Sequence, residues 1–391
     1  MRLPRLCSRR AVPMGSSEDF RVLVLGASGQ FGKCLCRRMA AESSLTLIIA
    51  GRDKEKLEAL KIHLITSYPS AKIKTAPCDI ACGDFLGQLL THKPNIVVHL
   101  AGPFQNQDYK IAKSCLAAHI SYIDMADARE FVSGFHSLDG EAQEKSIFLI
   151  TGASTIPALS SAVLDDASSS ITELHEADYG ICAGLKTGLG YATLRAVFSY
   201  CGKPYKTLSN SQDITTYGLD EPRRHEFSKP VGHRYIVNCD IPDHELFPSR
   251  YPTLKLLRFG SCIDVPGLAF ILFLMSRAVR TGWVRDWGFL SGPIVPFMKT
   301  VRFLGSAHSG FFMHCVGEAD GKYTHRLFEI IARNGNGLEI PVTPVVILIK
   351  RILAGERPPA GAYPCMGLIS LDEFKQELAS FPITFTWRTI K

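Results

Sequence analysis

The chain has 391 residues, 46% of them hydrophobic and 21% charged, which excludes an intrinsically disordered protein and argues for more than one domain. Its net charge is +7, but Arg2, Arg5, Arg9 and Arg10 precede the first acid, Glu18, so the remaining chain carries only +3 and lacks the charge of a nucleic-acid-binding surface. Twelve cysteines without a CxxC pair exclude a disulfide scaffold and a metal knuckle, and predict reduced thiols in a cytoplasmic setting.

Residues 1–18 form a basic tail, expected to be disordered, without the apolar core of a secretory signal; a transit peptide and a start at Met14 both stay open. From Phe20, short apolar runs alternate with amphipathic stretches, the signature of βαβ units and a parallel sheet. Strands are predicted at 21–25, 45–50, 73–76, 96–100, 122–125 and 147–150. They are apolar on both faces, as buried parallel strands are. About six such strands within the first 150 residues match a Rossmann-type doubly wound sheet.

The first strand runs into Gly26-Ala27-Ser28-Gly29-Gln30-Phe31-Gly32 and then a helix. Gly26 suits the tight turn, Gly29 the approach of backbone to a pyrophosphate, and Gly32 close packing of the helix. Ser28, Gln30 and Phe31 complete this cradle, whose helix N-terminus favours an anion. The second strand ends in Ala50-Gly51-Arg52-Asp53, with Gly51 where an NAD site carries an acid. Arg52 can instead fork onto a 2′-phosphate, so the cofactor expected is NADP(H), with Lys56 as a second candidate contact. Asp79 after the third strand is placed near the adenine, and Ala101, Gly102 and Pro103 after the fourth near the nicotinamide ribose.

After Thr151 the texture changes to polar loops with a Tyr- and His-rich stretch, Tyr217 to Tyr235. A hairpin is predicted from Gly310–Val316 and Tyr323–Ala332 around Asp320-Gly321, a type I′ pair. This region reads as an α+β substrate or dimerisation domain. Near the end, Val345–Leu353 reads as an apolar helix, and Ser370 with Glu373 forms a capping box. The longest apolar run, Val265–Met275, would span roughly 16 Å as a helix, too short for a bilayer. Followed by Arg277, Arg280 and Trp283, it reads as a core helix, a homodimer helix or, through 265–283, a peripheral membrane contact.

Taken together, Gly26 to Gly32, Gly51-Arg52, Ala101-Gly102-Pro103-Phe104 with Tyr109, Ser121-Tyr122-Ile123-Asp124 and Thr151-Gly152-Ala153-Ser154 through Pro157 resemble the NADP-binding domain of the saccharopine dehydrogenase-like family. The C-terminal part, as in Gly361-Ala362-Tyr363-Pro364-Cys365, is similar to uncharacterised bacterial members. The resemblance implies a Rossmann domain over 19–165, an inserted substrate domain over 166–340, and a segment, 341–391, returning to the first domain. It also implies NADP(H)-linked redox chemistry on a C=N or C=C bond of a small molecule. Many members continue the Tyr-x-Asp element with Gly-Glu; here it continues Met125-Ala126-Asp127, which speaks against an amino-acid substrate.

Tyr109 is the first candidate proton donor or positioner because it opens the helix after the fourth strand. With Lys113 it spells the YxxxK of short-chain dehydrogenases, but after the fourth strand instead of the fifth and without the preceding Ser, which reads as coincidence. Asp124, and less so Asp127, can hold a ribose or a substrate amine. His99 reads as a core histidine, Ser154 lacks a nucleophile elbow, and Arg223, Arg224 and His225 read as a solvated loop. No metal spacing is present. The expectation is an NADP(H)-dependent oxidoreductase; the alternatives are a non-catalytic NADP sensor and a membrane-peripheral enoyl reductase of a lipid pathway.

Overall fold

The computed structural model describes residues 20–80, 84–187, 191–265, 267–290, 292, 293, 296, 300 and 302–390; the basic tail and Pro266 lie outside them. They divide into two units. One runs up to Asp127 and adds Phe131–Ala158 and Pro341–Cys365; the other comprises Ala128–Glu130, Leu159–Ile340 and the chain from Met366.

In chain order the structure opens with β1 (Phe20–Leu25), α1 (Gln30–Ala40), β2 (Leu45–Gly51), α2 (Lys54–Ser67), β3 (Lys72–Pro77), α3 (Phe85–His92), β4 (Ile96–His99), α4 (Lys110–Ala117), β5 (Ser121–Asp124), α5 (Arg129–Ser133), α6 (Asp139–Glu144) and β6 (Phe148–Thr151). There follow α7 (Ser160–Ser168), β7 (Glu173–Ala183), α8 (Tyr191–Ser199), β8 (Pro204–Ser209), β9 (Gln212–Tyr217), β10 (Arg223–Glu226), β11 (His233–Asn238), α9 (Asp243–Arg250), β12 (Leu256–Ile263) and α10 (Leu268–Arg280). The chain closes with β13 (Ser309–Ala319), β14 (Lys322–Ala332), α11 (Glu339–Leu353), β15 (Gly361–Pro364), α12 (Leu371–Glu377) and β16 (Ile383–Thr389).

The first unit is a parallel sheet in the order β15-β6-β5-β4-β1-β2-β3. Its central strands are buried on both faces, which is why β1 and β2 are near-continuous Val, Leu and Ile. The order reverses direction at β1, between β2 and β4, and opens a crevice at their carboxyl ends. Helix α11 buries Val342, Val345, Val346 and Ile349 completely, and Arg38 of α1 donates to Thr343 Oγ1 at 2.8 Å. This is the expected Rossmann-type α/β architecture, with a seventh strand supplied by the tail.

The second unit is a mixed sheet, β10-β11-β12-β7-β13-β14-β16, with the separate pair β8-β9. Only β7 and β12 run parallel. The hairpin forms with Asp320 at φ 50° and Gly321 at φ 72°, both positive as a type I′ turn requires. The tail differs from its sequence-based assignment. Residues from Met366 belong to the second unit, because β16 pairs along all seven of its residues with β14, while β15 alone joins the first sheet. The main run of the second unit also begins earlier than residue 166, at Leu159, where α7 packs beside α12 and β13.

Two further expectations are corrected. Arg223, Arg224 and His225 lie on strand β10 instead of a solvated loop: Arg223 donates to Asp178 Oδ1 at 2.9 Å and Asn238 Oδ1 at 3.0 Å, and the His225 ring stacks on Phe312 at 3.6 Å. The apolar run of α10 is not core. Among its residues only Leu272 and Ser276 are buried, while Phe270, Ile271 and Leu274 are about half exposed or more.

Candidate functional site

The glycine loop is built by close approaches that no side chain would permit. Gly26 holds φ +80°, and a Cβ there would lie 2.9 Å from the Ala101 nitrogen, so the loop presses against the end of β4. At Gly32 a Cβ would meet the Gly26 oxygen at 2.2 Å, so α1 starts directly on the loop that precedes it. Gly29 is exposed and is the N-cap of α1, with no side-chain cap and no acidic residue in the first turn. The first N–H groups of α1 are therefore left for an outside anion.

Neighbouring strand ends gather around this loop. The Gly26 and Ala27 nitrogens donate to the Ala50 oxygen at 3.0 and 3.2 Å, and the Cys78 nitrogen donates to the Gly51 oxygen at 2.9 Å. A Cβ on Gly51 would sit 3.7 Å from Ser28 Oγ, ordinary contact, so an acid is absent there for reasons other than space. Arg52, the next residue, is exposed and has no hydrogen-bond or ionic partner among the described residues. Lys56 does: its ammonium lies 2.7 Å from Asp53 Oδ2, as befits the start of α2, which Asp53 caps. Asp79 is half-buried just past β3. Gln30 and Phe31 open α1, both half-buried.

Ala101, Gly102 and Pro103 lie half-buried at the end of β4. Gln107 holds this loop, its amide donating to the Ala101 and Pro103 oxygens at 2.9 and 2.8 Å. Sequence reasoning missed Gln107, because nothing in its neighbours marks it. It also missed the weight of Gly152, at φ +70°, whose missing Cβ leaves space that Pro157 fills.

Tyr109 caps α4 and is half-buried beside a recess of about 360 Å³ lined by Leu86, Lys110 and Lys113. Its hydroxyl donates to the Phe131 oxygen at 2.9 Å, and its ring packs against Phe131 and Phe135. Burial and the Asp124 charge push its phenol up, the opposite of what a YxxxK lysine does. Asp124 is completely buried at the end of β5. Its Oδ1 accepts from the Ala126 and Gly152 nitrogens at 2.9 and 2.8 Å and from Thr151 Oγ1 at 2.8 Å, which ties the ends of β5 and β6 together. Burial pushes its carboxyl up to about 6 against those hydrogen bonds. His99 is a core histidine bonded through Nδ1 to the Tyr122 hydroxyl at 2.9 Å, and burial drives it down to about 4. Asp127 is exposed and takes a bond from Gln105 at 3.3 Å. Ser154 is half-buried, with its nitrogen turned back to the Gly152 oxygen at 2.8 Å. Among the described residues, no group of three or more His, Cys, Asp or Glu is arranged to hold a metal ion.

Residues 22–150 match the family profile of the saccharopine dehydrogenase NADP binding domain. That stretch of the chain is similar to this domain. NADP(H) is accordingly its cofactor, and the uncapped helix start, the glycine cradle and the free Arg52 fit such a dinucleotide. The saccharopine dehydrogenase-like oxidoreductases of Rattus norvegicus and Homo sapiens are 29% and 28% identical over 157 and 158 residues. The matched region covers 36% of this chain and 36% of each relative, so this NADP-binding chain spans well under half of the curated relatives it matches. Among solved structures, an amine dehydrogenase from Mycobacterium smegmatis aligns over 88% of this chain and 94% of its own, at 10% identity and a TM-score of 0.46.

Proposed function

We infer that the protein is an NADP(H)-dependent oxidoreductase acting on a C=N or C=C bond of a small molecule. The observation that carries this reading is the cradle at the reversal point of the sheet, where Gly26, Gly29 and Gly32 clear the backbone and α1 begins uncapped. The backbone from Ser28 to Gly32 takes the pyrophosphate. Arg52 takes the 2′-phosphate, which its forked donors suit and a carboxylate would repel. Asp79 faces the adenine, and Ala101, Gly102 and Pro103, held by Gln107, border the nicotinamide ribose. NADPH, when bound, supplies a hydride from its nicotinamide ring. Tyr109 holds the proton that the newly basic atom of the substrate requires, and Asp124 positions the strand ends beside it.

One observation favours a second reading. The Tyr109 hydroxyl and Asp124 Oδ1 are both engaged in the domain's own hydrogen bonds, as they would be in a protein that binds NADP(H) without turnover. Titration with both nicotinamides tests the first step: NADPH should bind more tightly than NADH, and Arg52→Glu should reverse the order. An unchanged ratio removes Arg52 from the site. NADPH oxidation with imine or enoyl compounds, lost in Tyr109→Phe while NADPH binding persists, supports the enzyme. Binding without turnover across such a panel supports the sensor.

A further inference from the structure

Helix α10 is amphipathic in the reverse sense for a helix of a globular domain. Polar side chains fasten it to the second unit: Ser276 Oγ donates to the Gly218 oxygen at 2.9 Å, and Arg280 pairs with the buried Asp220 and lies over the Tyr217 ring at 3.8 Å. Its apolar side faces outward. Phe270, Ile271 and Leu274 are 48%, 54% and 65% exposed, on the one face that helical spacing gives them. The chain beyond the helix continues the patch with Trp283 at 88% and Phe289 at 67%, held back against α10 by the Trp287 indole, which donates to the Met275 oxygen at 3.0 Å. Phe303 and Leu304 are also exposed. Half of the large apolar side chains exposed among the described residues thus fall between 270 and 304.

Charge separates the occupants such a patch could have. Residues 265–304 contain five Lys and Arg against the single acid Asp286, a net +4 within a chain of net +7. Arg277 lies on the same helix face as Phe270 and Leu274, Arg285 follows Trp283, and neither has an acidic partner among the described residues. A second copy docked symmetrically on this face would bring these cations against their own equivalents, which is repulsive. A bilayer of anionic lipid supplies the opposite charge and an apolar layer beneath it, with Trp and Arg at the boundary where each is favoured. No helix of the described residues is long and apolar enough to cross a membrane, and α10 has 13 residues, about 20 Å, so it lies along the surface.

We propose that α10 and the aromatic chain following it form a peripheral docking surface for an anionic phospholipid bilayer. The proposal is independent of the catalytic reading, since it uses none of the NADP-site residues. The test is sedimentation of the full chain with vesicles of phosphatidylcholine, alone or with about 30 mol% phosphatidylglycerol. The protein should pellet with the mixed vesicles and not the neutral ones, and less at high salt. Its tryptophan emission should move to the blue on binding, a shift that Trp283→Ala removes. Phe270→Ser with Leu274→Ser should weaken binding at least about tenfold. Arg277→Glu with Arg285→Glu should weaken it at least about twentyfold, since each basic residue near such a surface contributes about fivefold. Both variants change exposed side chains and should keep the melting temperature and NADPH affinity of the parent, so a loss of NADPH binding would bear on the cofactor site alone. Three outcomes overturn the proposal: no pelleting with anionic vesicles, variants that bind as the parent does, or a parent dimer that the variants convert to monomer.

Discussion

Asp243 makes this protein's stability depend on pH. Its carboxyl is completely buried, with Oδ2 accepting from Ser160 Oγ and the Tyr179 hydroxyl at 2.6 Å each and Oδ1 without a partner. Burial outweighs both hydrogen bonds and raises it from 3.8 to about 7. The folded state therefore holds a proton that the unfolded chain has released, and stability falls as pH rises from about 4 through 7. Asp243→Asn imitates the protonated group. It should flatten that fall, recovering up to about 4 kcal/mol near neutrality, read from urea unfolding at a series of pH values. Sequence reasoning did not single out Asp243, since acids often open helices and only the tertiary packing of α7, β7 and α9 buries this one. The shape of the glycine loop was legible because it follows from the chain immediately around it. Tyr109 and Asp124 were legible as candidates, but the partners that engage them come from 22 and 28 residues away.

Elements defined by local chemistry were read closely. The six leading strands lie within a residue or so of their predicted ends, and the capping box of α12 forms, with Glu373 accepting from the Ser370 nitrogen at 2.9 Å. The β13–β14 turn is of the same kind. Gly321 has open space around the position of a Cβ, so replacing it tests conformation alone. Gly321→Ala should destabilise the protein by about 1 kcal/mol through its positive φ, seen as a lowered denaturation midpoint with an unchanged slope. Elements created by a partner were missed. Strand β15 is only Gly-Ala-Tyr-Pro, with no alternation to betray it, and it exists because β6 offers an edge. Strand β7 carries His175, Glu176 and Asp178 along 11 residues and reads as polar, yet it is the centre of the second sheet. The apolar run of α10 was found, but hydrophobicity alone could not tell an inward face from an outward one.

At the scale of the molecule, charge and hydrophobicity are distributed unevenly. The +7 of the chain divides between a tail of four arginines ahead of Glu18 and the 265–304 stretch, leaving the rest close to neutral. Both seven-stranded sheets are closed at one edge by the tail: β15 lies beside β6, and β16 beside β14. A chain ending at residue 360 would leave β6 and the 11 residues of β14 as bare edges. Such a truncation should enter the aggregate fraction on gel filtration while the full chain does not.

The same arrangement governs how the protein is made. During synthesis, the glycine loop and all six leading strands leave the ribosome early, yet the sheet that carries them stays incomplete until Gly361–Pro364 follows. The second sheet waits for Ile383–Thr389. Neither unit can finish folding ahead of the other by much, since the strands that complete the two sheets lie within some thirty residues of each other.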